Sequence, residues 1–486
     1  MFSTRIGVVA LASALALPVV SFAQDAKTVI DAASKAMGVD TLKTVEFSGS
    51  GSDFAFGQAF SPSSPWPRFT DKTYTRQIDF VTPASRMERI RVQALDPPQG
   101  GGQQPIRGEQ TQTQTIVIRP NTPWVQQLEI WMMPHAFLRA AAANNATVRS
   151  QRVDGKPYRL VSFMGQNKAA VTGYINEQNL VDKVETLIDN PLFGDTMFDA
   201  TYSDYKDVNG VQFPSRIVQR QGGNPVLIVN VADVKVNAPV RIQPPPAPAG
   251  GGAPAAAAVT APSEKIGDGT YLILGGYAAV AVDFKDYIVL IESPQSEERA
   301  NAVFAEAKRL IPNKPIRYVV NTHHHVDHSG GVRAAMAEGA TIITQQINKP
   351  FFEKIAAAPH TLNPDRLATT KRKVTIEGMG DKRVLTDGNQ SVEIYHLKGN
   401  LHNAGLLMVY LPKAKVLIEA DVYNPAGQPN APVAAPISPF MTNFIAKVDE
   451  LKLDYDRVIP IHYPADGRVV TKAELLRNAT AGAATN

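Results

Sequence analysis

Residues 321–331 read Asn321-Thr322-His323-His324-His325-Val326-Asp327-His328-Ser329-Gly330-Gly331, directly after the run Arg317-Tyr318-Val319-Val320. The preceding run is β-branched and aromatic and reads as a short strand. His323, His325, Asp327 and His328 fall within six residues, and Gly330-Gly331 releases the chain toward a helix. Imidazole nitrogen suits zinc and other borderline first-row metals. Side-chain direction repeats every two residues at a strand end, so His323 and His325 can point the same way, with Asp327 and His328 reaching a second position from the turn. Of the nine histidines, eight lie beyond residue 262 and four sit in this loop, which random placement on a surface would rarely produce.

Outward from this loop the rhythm is that of an α/β domain. Tyr287-Ile288-Val289-Leu290-Ile291 reads as a buried strand, and Val303, Phe304, Ala307, Leu310 and Ile311 share one face of the helix after it. With the Arg317–Val320 strand this gives β–α–β, the signal of sheets covered by helices. Further strands are expected at 340–343, 392–395, 406–411, 416–418 and 458–459.

The spacing His323-x-His325-x-Asp327-His328 matches the H-x-H-x-D-H signature of the metallo-β-lactamase superfamily. Three more segments follow in the family's order: Gly399-Asn400-Leu401-His402; Val416-Leu417-Ile418-Glu419-Ala420-Asp421; and Val458-Ile459-Pro460-Ile461-His462. The resemblance spans most of residues 266–470. It implies an αβ/βα four-layer sandwich in which His323, His325 and His402 hold one metal. Asp327, His328 and His462 hold the other, with Asp421 bridging. The implied activity is a binuclear-zinc hydrolase that cleaves an ester, lactone, thioester, amide or related bond by attack of a metal-bound hydroxide, with Asp327 as the catalytic carboxylate. Two Zn2+ are the expected cofactors, with iron or manganese as alternatives. The pKa of water falls to about 7 even at a single protein-bound zinc, which makes the chemistry reasonable in itself.

Departures from the family pattern narrow the branch. No cysteine exists, so second sites built on a thiolate are excluded, and Asp421 is unlike the β-lactamase group whose all-histidine second site lacks the bridging carboxylate. Both point toward lactonase, glyoxalase-II and phosphodiesterase-like branches. Glu292 stands where an aspartate is usual and is a candidate support for the ligand loop. Asn403 follows His402 in place of the family's G-H-T turn. His324 is expected to face solvent or a backbone carbonyl. His396 and His135 are read as structural, and His360 falls in 351–387, a segment the family often uses to cover substrate. Tyr423 is either a substrate contact or packing.

In front lies a different kind of domain. With 486 residues two cores are expected, and 44% hydrophobic against 19% charged residues is a globular balance. Residues 243–262, QPPPAPAGGGAPAAAAVTAP, have nothing to bury and read as a linker. They separate a domain at 24–242 from the metal-binding domain at 263–486. The first domain opens on one helix, with Val29, Ala32, Ala33 and Met37 at helical spacing and Gly38 to stop it. Strands are expected at 115–119 and 173–176, at 201–205 leading through a turn at 208–211 to 217–218, and at 228–231 with Val234, while 181–188 fits a strand or a short helix. A mainly β (α+β) domain follows, which loosely resembles the half-barrels of periplasmic lipoprotein carriers. Residues 97–104 read as a flexible loop within it.

The first 23 residues have the pattern of a signal peptide: Arg5, an apolar run over 6–20, and Ser21-Phe22-Ala23 for cleavage after Ala23. The expected location is the periplasm or beyond, with no membrane span. A formal charge of +4 without a basic stripe gives no nucleic-acid footprint. Zero cysteines rule out a thiolate nucleophile, Cys-ligated zinc or an iron–sulfur cluster. The expected partner is a small-molecule substrate, with the N-terminal domain free to bind a partner or apolar ligand. Two other readings stay open: a mononuclear iron sulfur dioxygenase of the same superfamily, and a non-catalytic periplasmic binding or carrier protein.

Overall fold

Long strands whose residues alternate between covered and open faces build the first half of the chain. In the computed structural model, residues 26–102, 108–243, 259–370, 372–425 and 437–481 are described. The expected leader and most of the expected linker lie outside them. Eleven antiparallel strands form one sheet. Its first strand, Thr44–Phe54, pairs with its last, Asn224–Val236, so that the two edges are Gln110–Val117 and Thr147–Val153. The chain passes from one edge to the other through two helices, Trp124–Trp131 and Pro134–Ala143. These join the helix Ala26–Met37 in one core with Phe47, Tyr74, Phe137, Val184 and Phe213. The fit is close: a Cβ on Gly173 would lie 2.1 Å from the Phe137 ring. The expected lone helix is thus corrected to three, and 181–188 belongs to the strand Val181–Asn190.

The second half is the expected four-layer sandwich. A seven-stranded sheet runs from Ser263–Gly267 to Thr375–Met379, and a six-stranded sheet runs from Lys382–Thr386 to Val470–Thr471. Val280, Val289, Val320, Ile394, Val409 and Ile418 meet between the sheets. The helices Glu297–Leu310 and Val332–Glu338 cover the outer face of the first sheet through Val303, Phe304, Ala335 and Met336. Pro439–Glu450 contributes Phe440 and Phe444 to the other core.

Three parallel strand pairings position the chemistry. Ile316–Val320 lies between Ile288–Ile291 and Thr341–Gln345, and Val416–Glu419 lies beside Arg457–Pro460. Buried on both sides, these strands deliver the loops at their carboxyl ends to one place. Segment 351–387 is built into the sheets through its strands Thr375–Met379 and Lys382–Thr386. It also docks on the N-terminal half, where Asp195 accepts hydrogen bonds from the Thr361 and Leu362 amides at 2.9 and 3.1 Å.

Candidate metal centre

The ligand loop leaves Val320 with every side chain from Asn321 to His325 buried. Its polar groups are satisfied from below. The Thr322 amide donates to Glu292 Oε1 at 2.8 Å, and Asn321 Nδ2 donates to the His328 carbonyl at 3.0 Å. Glu292, fully buried, therefore holds the ligand loop, and its Oε2 stands 3.6 Å from His328 Nδ1. Asp327 and His328 sit on the short helix Val326–Ser329.

All seven expected residues come together, in two groups: His323, His325 and His402, and Asp327, His328, Asp421 and His462. Within each group one donor atom per residue lies within 4.8 Å of every other. His323 Nε2 and His402 Nε2 are 3.1 Å apart, and His328 Nε2 and His462 Nε2 are 3.2 Å apart. Asp421 lies between the groups. Its Oδ2 is 2.7 Å from His328 Nε2, 3.4 Å from His323 Nε2 and 3.5 Å from His402 Nε2, and its Oδ1 is 2.9 Å from His462 Nε2.

The donor set fits divalent cations. His325 Nδ1 and His402 Nδ1 are buried without hydrogen-bond partners, and the paired imidazole nitrogens at 3.1 and 3.2 Å can share at most one proton each. Burial, reinforced by neighbouring imidazoles, holds the pKa values of His323 and His325 well below the usual range, and burial lowers that of His402. The first group is thus three neutral imidazoles, the form that binds metal. In the second group burial again opposes charge on His328, but Asp421 and Asp327 outweigh it and hold its pKa well above the usual value. Metal uptake there is coupled to proton release.

The other sequence candidates separate cleanly. His324 is buried, not solvent-facing: its Nδ1 is 3.1 Å from Asn348 Oδ1, and its ring packs on Phe351. His396 bonds the Ala404 carbonyl through Nε2 at 2.9 Å, and His135 bonds the Gln212 carbonyl at 3.1 Å inside the N-terminal core. His360 is buried beside Asp365. Tyr423 is packing, its hydroxyl taken by Asn478 Nδ2 at 2.7 Å.

Three groups at the site carry no motif. The Tyr277 hydroxyl donates to Asp327 Oδ2 at 3.1 Å, and its ring centroid is 4.0 Å from that of His462. Gln58 and Ala59 come from the N-terminal half, on the connection between Thr44–Phe54 and Arg68–Asp79. Only the alternation of the flanking strands could have marked that connection, and alternation does not say what a loop touches.

The family model of the metallo-β-lactamase superfamily matches residues 279–462, a stretch that holds all seven residues. Over that stretch the chain carries the pattern of the metallo-β-lactamase superfamily. Solved structures similar to the chain include a metallo-β-lactamase from Pontibacter korlensis, 18% identical, covering 46% of this chain and 98% of that one with a TM-score of 0.34. DIM-1 metallo-β-lactamase is 15% identical, covers 47% of this chain and 99% of its own, and gives 0.33. A B3 metallo-β-lactamase described as having an active-site glutamic acid is 20% identical, with 47% and 90% covered and a TM-score of 0.33. No curated protein matches the chain. Among the described residues no helix is long and apolar enough to cross a membrane.

Proposed function

We propose that this chain is an exported, binuclear zinc hydrolase acting on an uncharged acyl compound such as a lactone, ester or thioester. The observation that carries the reading is the pair of donor groups with Asp421 between them, which supports two ions rather than one. Export is supported by the apolar run over 6–20 and the small residues Ser21 and Ala23 after it. Two zinc ions in these groups would supply a water nucleophile at neutral pH and a Lewis acid for the electrophilic oxygen.

The chain's own residues account for the rest. Asp327 is gripped on both oxygens, by Gln58 Nε2 at 2.9 Å and by the Tyr277 hydroxyl. Although burial works against its charge, His328 and His462 hold its pKa below the usual carboxylate range. A carboxylate this acidic is a weak base, so its chief work is to orient the attacking water. Burial, with the Asp327 charge beside it, pushes the Tyr277 phenol far up, so it stays a donor at neutral pH and holds Asp327 Oδ2 in place.

Beside Asp327 opens a cavity of about 330 Å³ lined by Phe56, Leu192, Tyr277, Gln295 and Val326. No lysine or arginine lines it among the described residues, which favours an acyl group over a phosphorylated one. The test is turnover of lactones, esters, thioesters, phosphodiesters and β-lactams by the zinc-loaded protein, with Asp327→Ala as control. Hydrolysis of uncharged acyl substrates that Asp327→Ala abolishes is expected. Turnover indifferent to that change, or dependent on iron and oxygen, would contradict the reading.

A further inference from the structure

A loop of the N-terminal sheet touches two candidate ligand residues of the metal centre. The Ala59 carbonyl lies 2.8 Å from His325 Nε2 and the Gln58 amide lies 2.9 Å from Asp327 Oδ1, across 266 and 269 positions of sequence. A carbonyl carries no proton, so the hydrogen of this bond belongs to His325 Nε2. That fixes the tautomer and leaves Nδ1, which is buried and unpartnered, with its lone pair free beside His323 and His402. Gln58 in turn restricts the Asp327 carboxylate, whose other oxygen Tyr277 holds. We propose that the connection at 55–67 is part of the metal centre, with Ala59 and Gln58 positioning His325 and Asp327 for metal binding. This rests on the binuclear reading above.

An ordinary docking contact would not need to be so constrained. The loop is closed at its base by the Ala55 amide on the Pro67 carbonyl at 2.8 Å. Its Phe60 carbonyl accepts from the Ala404 amide at 2.8 Å, and Asn403 Nδ2 reaches the Ala59 carbonyl at 3.3 Å. One loop therefore spans the segment bearing His325 and Asp327 and the segment bearing His402, holding the two in mutual register. There is no clearance beneath it. Gly57 has φ 71°, and a Cβ there would lie 2.2 Å from Val326 Cγ1. Outer partners of metal ligands typically change metal affinity by about 10- to 100-fold, because they fix the tautomer and the ligand's direction.

The experiment uses the full-length chain with histidine nitrogens labelled, in wild-type, Gln58→Leu and Gly57→Val forms. Zinc is titrated against a chromophoric chelator, cobalt spectra report ligand geometry, and nitrogen shifts of the metal-free protein report histidine tautomers. Wild type should take two ions and show His325 as the Nε2–H tautomer. Gln58→Leu should weaken one ion by about tenfold or more and alter the cobalt spectrum. Gly57→Val should in addition mix the His325 tautomer. If Gly57→Val fails to fold, Gln58→Leu decides alone. Wild-type affinity and an unchanged cobalt spectrum in Gln58→Leu, with two ions bound to wild type, would overturn the inference and leave the binuclear reading standing. A wild type that binds no zinc would overturn both.

Discussion

Glu292 and Asp421 hold φ of 70° and 65°, left-handed conformations that a non-glycine residue adopts only when its surroundings impose it. Each follows a fully buried strand, and each turns its carboxylate back toward His328. At this scale the seven candidate ligands could be named from the sequence, because their types and spacings are local, and the structure brings them together in two groups. Glu292 was legible as a support for the ligand loop, since it stands in a family position. Tyr277 was not, because a lone tyrosine is ordinary core material until its hydroxyl is seen at Asp327. Its removal gives a direct prediction. Tyr277→Phe keeps the ring against His462 and frees one oxygen of Asp327, so kcat should fall about 10- to 100-fold and zinc should bind more weakly, as for Gln58→Leu. Steady-state kinetics beside metal analysis checks this, and an unchanged kcat would remove Tyr277 from the chemistry.

Elements were legible where periodicity was clean. The strands around the ligand loop are short, mostly apolar runs, and the helix Glu297–Leu310 has one apolar face and Ser296 as its cap, accepting from the Arg299 amide at 3.2 Å. The helices Trp124–Trp131 and Pro134–Ala143 escaped because they are short, 8 and 10 residues, and the second is buried on most sides. The strand Arg68–Asp79 hides its alternation by burying Asp71 and Arg76 among Phe69, Tyr74 and Ile78. His135, on the second of these helices, makes the packing titratable. Burial pushes its pKa down to about 4, so it is neutral in the fold. Below an unfolded value of about 6.5 the unfolded chain takes up a proton that the folded chain refuses. Stability is therefore intact above pH 6.5 and is lost as pH falls toward about 4, by roughly 3 kcal/mol from this group. His135 stacks on Phe213 at 5.8 Å, so His135→Phe fits the site. Urea unfolding followed by tryptophan emission should show a smaller loss between pH 7 and pH 4 in the variant. An equal loss would mean other groups carry the pH dependence.

At the scale of the whole molecule, the composition and the resemblance separated two halves correctly in kind, a mainly antiparallel sheet and a four-layer sandwich. Their junction was not legible. Hydrogen bonds from backbone carbonyls such as Ala59 leave no trace in residue identity, and Gly57 reads as any turn glycine until Val326 is found beneath it. Segment 351–387 spans the two sheets, meets Asp195 and packs its Phe351 on His324, while a second loop at the candidate ligands comes from the other half of the chain. The account as a whole stands on one claim, that the seven residues form a two-ion centre. Plasma mass spectrometry of the purified full-length protein, prepared without added metal, tests it most directly. About two zinc per chain is the predicted result. No bound metal, even after incubation with zinc, would contradict it.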